Sequence, residues 1–361
     1  MEVFSIMRKG ISLFIMSLLL ILCVFVGASI ASEKTIKLTL ADNTPPIGLR
    51  GEGVKLFLEE IEKHTNGRVQ IDVFWAGSLL KGKEILKGVK DGIVDIGFIN
   101  TAYYPGQLVV NGSIVIFPRG PVQYDYLFEV ATRIIEEIPE FKHELQELNQ
   151  KLLYYYPSTP MSVACRKPIT SFEDFKGKRI RAPGRWFLVQ VEGTGATPVS
   201  IPWGDTYMAL QVGTIDGVYT GLESIHRAKL EEVAPNIFTM KELWGATIFY
   251  YTINIDKFNS LPEDIQSQLV EAGQAASLRF GELYDAEWER VINEQKESGY
   301  TVTAASPEDI EKWMAMPVIG QMKEDWIKLA KESDIKNPEQ IVEKINIIIN
   351  EVIEKEQRER G

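Results

Sequence analysis

Apolar positions along the chain fall into three regimes. In the first, Ile11 to Val26 form an almost unbroken apolar run, preceded by Arg8 and Lys9 and followed by Ser29-Ile30-Ala31. A positive start, an apolar core and a small-residue site in that order predict a secretory signal peptide over 1–31, cleaved near Ala31. The run is 16 residues long, short of the roughly 20 that span a bilayer. Cys23 lies inside the run rather than after it, which argues against a lipid anchor there.

The second regime alternates strand and helix patterns. Thr35 to Ala41 places Ile36, Leu38 and Leu40 on one face, a strand of period two. Asp42-Asn43-Thr44-Pro45-Pro46 breaks it, and Gly48 to His64 follows as an amphipathic helix. A strand at Val69 to Val73, a helix over Lys81 to Lys90 and a buried strand at Val94 to Ile99 complete the first half. Strands are again expected at Ser162–Cys165, Lys178–Arg181, Thr197–Ile201 and Ile215–Tyr219. Helical segments at Phe187–Glu192 and Thr206–Val212 lie among them, and Ser171 caps a turn before Glu173 and Asp174. Such alternation predicts parallel α/β sheets with helices on their faces. The expected fold is therefore α/β and two-lobed, of the periplasmic-binding-protein kind, with a central cleft. Lobe 1 is expected over 32–157, completed by part of 246–299, and lobe 2 over 158–245.

The third regime is helical. Ser260-Leu261-Pro262-Glu263 reads as a capping box, and from there to Ser298 the only glycines are Gly273 and Gly281. A continuous helix over 260–299 would be about 55 Å long at roughly 1.5 Å per residue, enough to lie across both lobes. Residues 300–361 read as a further helical segment.

Composition narrows the chemistry. Removing residues 1–31 takes away Glu2, Arg8 and Lys9 and moves the formal charge from −11 to −12. An acidic chain without a basic stretch is a poor nucleic-acid partner, so none is expected. Any anion site must then be local and built from few cations. Cys165 is the single cysteine after the leader, so an internal disulfide is impossible. His64, His143 and His226 lie among charged residues as solvated positions. HExxH, CxxC, GxSxG and Walker patterns do not occur, and neither a metal nor another cofactor is expected. No general acid, base or nucleophile constellation stands out, so the expected class is a binding protein rather than an enzyme.

Ligands of such sheets sit at the carboxyl ends of strands. The polar or aromatic loops there include Asp42-Asn43-Thr44 and Asn100-Thr101-Ala102-Tyr103-Tyr104. Arg181 ends a strand just before a Pro-Gly turn, and its planar fork matches a carboxylate. The alternative is a surface arginine paired with an acid such as Asp205. Trp203 ends the next strand, Trp186 follows the Arg181 turn, and Tyr219 and Trp244 stand at other strand ends. Aromatics at a cleft rim supply flat apolar walls, although core packing is the other common use of such residues.

Several segments together resemble one family. Lys176-Gly177-Lys178-Arg179-Ile180-Arg181-Ala182-Pro183-Gly184, then Gly195-Ala196-Thr197-Pro198-Val199, then Tyr207 to Gly217, are similar to the solute-binding subunits of tripartite ATP-independent periplasmic (TRAP) transporters, the DctP-like family. Ala76-Gly77-Ser78-Leu79 and Asp91 to Gly97 agree. The resemblance runs from Lys34 to Gly299 and implies two lobes that close on an organic acid, a bridging helix, membrane permease subunits as partners and a periplasmic location, with the protein acting as a monomer. It puts the carboxylate-binding arginine at Arg181 and the pocket aromatic at Trp203. It also puts polar positions at Asn43 and Asn100, and a further position at Thr220 with Tyr219 beside it. A second arginine frequent in the family falls on Met161. The D-G-Q-E-N-P segment of relatives reads Asp216-Gly217-Val218-Tyr219-Thr220-Gly221 here. Both departures point to a less ionic pocket and to a monocarboxylate with an apolar or aromatic body, gripped by Arg181 alone. Alternatives are a binding protein of an ATP-driven importer or of a sensory system and, further off, an exported enzyme.

Overall fold

The alternation in Ile36–Ala41 becomes strand β1, with Leu38 and Leu40 sealed from solvent. The computed structural model describes residues 35–245 and 247–360. The expected signal peptide lies outside the described residues. β1 pairs in parallel with β2 (Val69–Phe74) and β3 (Ile96–Asn100). β4 (Gln150–Pro157) closes the first sheet. β5 (Met161–Cys165), β6 (Arg179–Arg181), β7 (Thr197–Val199), β8 (Gly217–Gly221) and β9 (Asn236–Thr239) belong to a second sheet. β10 (Ile248–Asn254) returns to the first sheet and β11 (Thr301–Ala304) to the second. The orders are β2-β1-β3-β10-β4 and β11-β9-β5-β8-β6-β7.

Two sheets give two lobes, as expected, but neither sheet is purely parallel. β10 runs antiparallel to both β3 and β4, and β5 runs antiparallel to both β8 and β9. Each reversed strand enters its sheet directly from the other lobe, without a crossover helix to turn it round. β4 passes into β5 through Ser158-Thr159-Pro160, and β9 passes back to β10 through 240–247. The two passages hydrogen-bond to each other: Ser158 N–H donates to Thr247 O (2.8 Å) and Met161 N–H to Leu243 O (2.8 Å).

The long helix is continuous over Glu263–Glu297, 35 residues, or about 52 Å at roughly 1.5 Å each. Its first half, through Tyr284, packs in the core of the first lobe; Trp288 and Val291 pack in the core of the second. It therefore bridges both lobes. Gly273 does not break it. A Cβ there would sit 1.9 Å from the Leu153 carbonyl oxygen, so glycine lets the helix press against β4. The expected capping box does not form: Pro262 is the N-cap, and the Ser260 hydroxyl donates to Lys257 O (2.6 Å), closing the preceding short helix. Ser171 does sit in a capping box, its N–H donating to the Asp174 carboxylate.

The C-terminal segment is not wholly helical, since β11 extends the second sheet before three helices, Pro307–Met314, Pro317–Glu332 and Pro338–Arg360. The last returns to the first lobe, where Glu356 accepts from the N–H groups of Val122 and Gln123. Among the described residues no helix is long and apolar enough to cross a membrane. Cys165 is buried and unpaired, and burial pushes its thiol up to about 12. His143 is exposed, but His64 and His226 are half-buried and face carboxylates, so those two are not simply solvated.

Candidate functional site

The reversed strands decide what lines the cleft. Because β10 and β5 are antiparallel to their neighbours, their amino ends lie beside the carboxyl ends of β3, β4 and β8. Phe249 pairs with Asn100 and Tyr156, and Met161 pairs with Gly221. These residues, with Arg181 at the end of β6, line a cavity of about 60 Å³. The lobes meet around it. A Cβ on Gly184 would come within 2.5 Å of the Ala102 carbonyl oxygen, and one on Gly48 within 2.7 Å of Glu223 Oε1. The cleft is therefore closed.

Arg181 is 2% exposed. Its Nε donates to Ile201 O (3.3 Å), and its guanidinium lies 5.3 Å from the Trp203 ring centre. No ion pair to Asp205, or to any other carboxylate, forms at Arg181 among the described residues. Burial holds the guanidinium below the usual arginine range, partly opposed by the nearby Tyr103 hydroxyl. An arginine starts so high that it stays charged at neutral pH.

Two further arginines line the same cavity. Arg50, from the first turn of helix Gly48–His64, is 7% exposed. It donates through Nη2 to Asp42 Oδ1 (3.2 Å) and stacks 3.7 Å over the Phe98 ring. Asp42 also accepts from Thr44 N–H, the Thr44 hydroxyl and the Tyr251 hydroxyl. Burial alone would lower the Arg50 pKa, but Asp42 with Tyr156 and Tyr251 outweighs it, and the net direction is upward. Arg227, from helix Leu222–Arg227, donates to Glu223 Oε1 at 2.9 Å, with both side chains 4% exposed. Two cations are thus balanced in place, and one is not.

Of the expected residues, Arg181, Trp203, Asn100, Tyr103 and Thr220 line the cavity. Asn43 stands one step back, its amide nitrogen against Gly82. Tyr219 points the other way because successive strand residues face opposite sides of a sheet. It is 1% exposed, between Phe187 and Trp313, with its hydroxyl donating to Gln190 Oε1 (3.2 Å). Trp244 is core: its Nε1–H donates to Phe117 O (2.7 Å) and its ring presses against Gly120. Trp186 lines a separate small cavity together with Thr101 and Val109. The pocket is also more ionic than expected. Arg50, Glu223 and Arg227 gave no sequence signal, because a charged residue in a helix ordinarily reads as surface. Phe249 and Tyr156 lie in strands to which the sequence pattern assigned nothing.

The pattern of residues 40–330 matches the model of "Bacterial extracellular solute-binding protein, family 7" (DctP). The chain belongs to this family. It is a TRAP-type solute-binding protein, and the family consists of binding proteins rather than enzymes. The ectoine-binding periplasmic protein TeaA of Halomonas elongata is 30% identical over 262 residues, 71% of this chain and 72% of TeaA. The crystal structure of the ectoine-binding protein of the TeaABC TRAP transporter superposes with a TM-score of 0.77 at 24% identity, covering 87% of this chain and 99% of that one. A marine metagenome TRAP solute-binding protein specific for aromatic acids, in complex with 3-hydroxybenzoate, superposes with a TM-score of 0.76 at 22% identity, covering 88% and 99%. These likenesses agree with the two-lobed architecture.

Proposed function

We propose that this solute-binding protein is exported through cleavage of residues 1–31, captures a small organic monocarboxylate in the periplasm, and delivers it to membrane permease subunits. One observation carries the ligand class. Arg50 and Arg227 each have a carboxylate partner, while Arg181 has none among the described residues. Glu223 on the cavity wall and Asp42 behind it balance two of the three arginines and leave one positive charge in excess around the cavity. A single carboxylate would neutralise it; a second would meet no free cation.

Capture would run as follows. An open cleft admits the acid, and the Arg181 fork takes both carboxylate oxygens. Hydrogen bonds to charged groups contribute roughly 1.5–3 kcal/mol each. Trp203 and Phe249 lie against the ligand body, and Asn100 and Thr220 orient it. The Ser158–Thr247 and Met161–Leu243 hydrogen bonds tie the two strand passages together, so the lobes would close as bodies about that seam. Closure excludes water and strengthens the ion pair. Two relatives support this reading, since ectoine and 3-hydroxybenzoate each carry one carboxylate, whereas a third, 24% identical, is a C4-dicarboxylate-binding protein.

A thermal-shift screen of monocarboxylates against dicarboxylates tests it, with calorimetry on the hits. Monocarboxylates should raise the melting temperature and dicarboxylates should not. Arg181→Met should weaken every hit by at least about 30-fold, since losing one partner of a buried charged pair typically costs 2–5 kcal/mol. Stabilisation by dicarboxylates alone, or undiminished affinity in Arg181→Met, would refute the assignment.

A further inference from the structure

Arg50 has more donors than the protein uses. A guanidinium carries five N–H groups. Asp42 accepts one hydrogen from Nη2; Nε is sealed beyond the reach of any ligand, and the remaining Nη1 and Nη2 hydrogens have no acceptor among the described residues. The side chain cannot turn away. It is pinned at one end by Asp42, which is itself held by Thr44 and Tyr251. The Phe98 ring lies 3.7 Å beneath it and the Phe249 ring centre 5.2 Å away. Those terminal hydrogens stand on a residue that lines the ligand cavity, across the lobe boundary from Arg181.

We propose that Arg50 is a specificity-determining residue: a pre-oriented hydrogen-bond donor for an uncharged oxygen on the body of the bound acid. The inference rests on the reading that Arg181 holds the ligand carboxylate. Charge separates the two roles. Asp42 neutralises Arg50 from within its own lobe, so Arg50 offers donors without a spare charge. A hydroxyl or keto oxygen meets that offer; a second carboxylate would bring an unbalanced negative charge into a closed site. The substrate class is accordingly a hydroxy- or oxo-substituted monocarboxylate rather than a plain or doubly charged acid.

The test is isothermal calorimetry of the whole mature chain with matched acids that differ in one oxygen: benzoate and 3-hydroxybenzoate, propionate and lactate, propionate and pyruvate. Isophthalate supplies a second carboxylate in place of the hydroxyl. Wild type should prefer the oxygenated member of at least one pair by about tenfold, or about 1.4 kcal/mol, and should bind isophthalate more weakly than 3-hydroxybenzoate. Arg50→Lys keeps a cation beside Asp42 but removes the planar fork, so the preference should fall to less than about threefold. Should that variant fold poorly, the charge-neutral pair Arg50→Met with Asp42→Asn reads the same ratio. A preference that survives in both variants overturns the proposal, as does a wild type without preference in any pair or with isophthalate bound most tightly. Arg181→Met keeps the two readings apart. It should weaken binding of every acid by at least about 30-fold, whereas Arg50 variants should erase only the difference within a pair. If Arg181→Met binds normally, the carboxylate assignment fails; if none of these acids binds wild type, both fail.

Discussion

Two buried guanidiniums face one cavity from opposite lobes and differ in a single respect. Arg50 is 7% exposed and Arg181 2%; both lie near an aromatic ring. Arg50 has Asp42 at 3.2 Å, and Arg181 has only a carbonyl oxygen and Tyr103. Burial is therefore a poor guide to function here, and pairing is a good one. An arginine that the fold has already neutralised belongs to the scaffold and can lend only its donors. One that the fold leaves uncompensated keeps an unmet charge, which an incoming anion can satisfy. Arg179 makes the same point within one strand. It shares a sheet face with Arg181, yet it is exposed and held by Asp216, whose carboxyl it lowers to about 2.

Replacing Asp42 would break the contrast most severely. Asp42→Asn leaves Arg50 buried without its counter-charge, and loss of one member of a buried pair costs roughly 3–5 kcal/mol. Urea unfolding should show a loss of that order. In the surviving folded protein the cavity would carry one more positive charge, so the affinity ratio of dicarboxylate to monocarboxylate should rise. An unchanged ratio would mean that Arg50 does not share the ligand's electrostatic space.

Trp203→Ala sharpens the contrast from the other side. It strips Arg181 of a ring that contributes roughly 0.5–2 kcal/mol as a cation–π partner, and it opens the cavity to water. Affinity for any bound monocarboxylate should fall about tenfold by calorimetry, with the melting temperature of the free protein nearly unchanged. A drop in stability without a drop in affinity would assign Trp203 to packing.

The smallest effect concerns the third arginine. His226, on the short helix that carries Glu223 and Arg227, bonds to Glu231 at 2.7 Å and approaches Glu294 of the long helix at 3.2 Å. The hydrogen bond to Glu231 leads in raising its pKa, opposed by burial and by Arg290 and assisted by Glu294. A raised folded-state pKa contributes stability in full below the ordinary value of about 6.5. That contribution fades as pH climbs through the raised value. Wild type should therefore lose stability relative to His226→Gln as pH rises from about 6.5 through the raised folded-state value. Denaturant midpoints of the two proteins at pH 5.5, 7 and 9 check this, and parallel curves would leave the histidine without a role in holding that helix.

Much of the fold was legible because its signals are local. Period-two alternation marked β1, helical periodicity marked Gly48–His64, and a run without breakers marked the long helix. The helix start was misjudged by a few residues because Ser260 serves the previous helix instead. The sheets' reversed strands were not legible, since β10 finds its neighbours β3 and β4 across about a hundred residues or more. Arg181 could be singled out because it ends a strand before a Pro-Gly turn, and Trp203 because it follows Pro202 just beyond the next strand. Tyr219 could not be separated from Thr220, because which side of β8 faces the cleft is set by the sheet and not by the pair itself.

By itself, then, the amino-acid order determined the α/β alternation, the bridging helix, the family and the one arginine at a strand end. Tertiary structure alone decided which charges are spent. Asp42 and Arg50 are eight residues apart, and Glu223 and Arg227 four apart, so each pair could form locally in an exposed chain. Only the folded packing buries both pairs around the cavity, beside an Arg181 that finds no acid of its own among the described residues. Charge pairing in a buried site depends on which groups water can no longer reach, and the fold determines that.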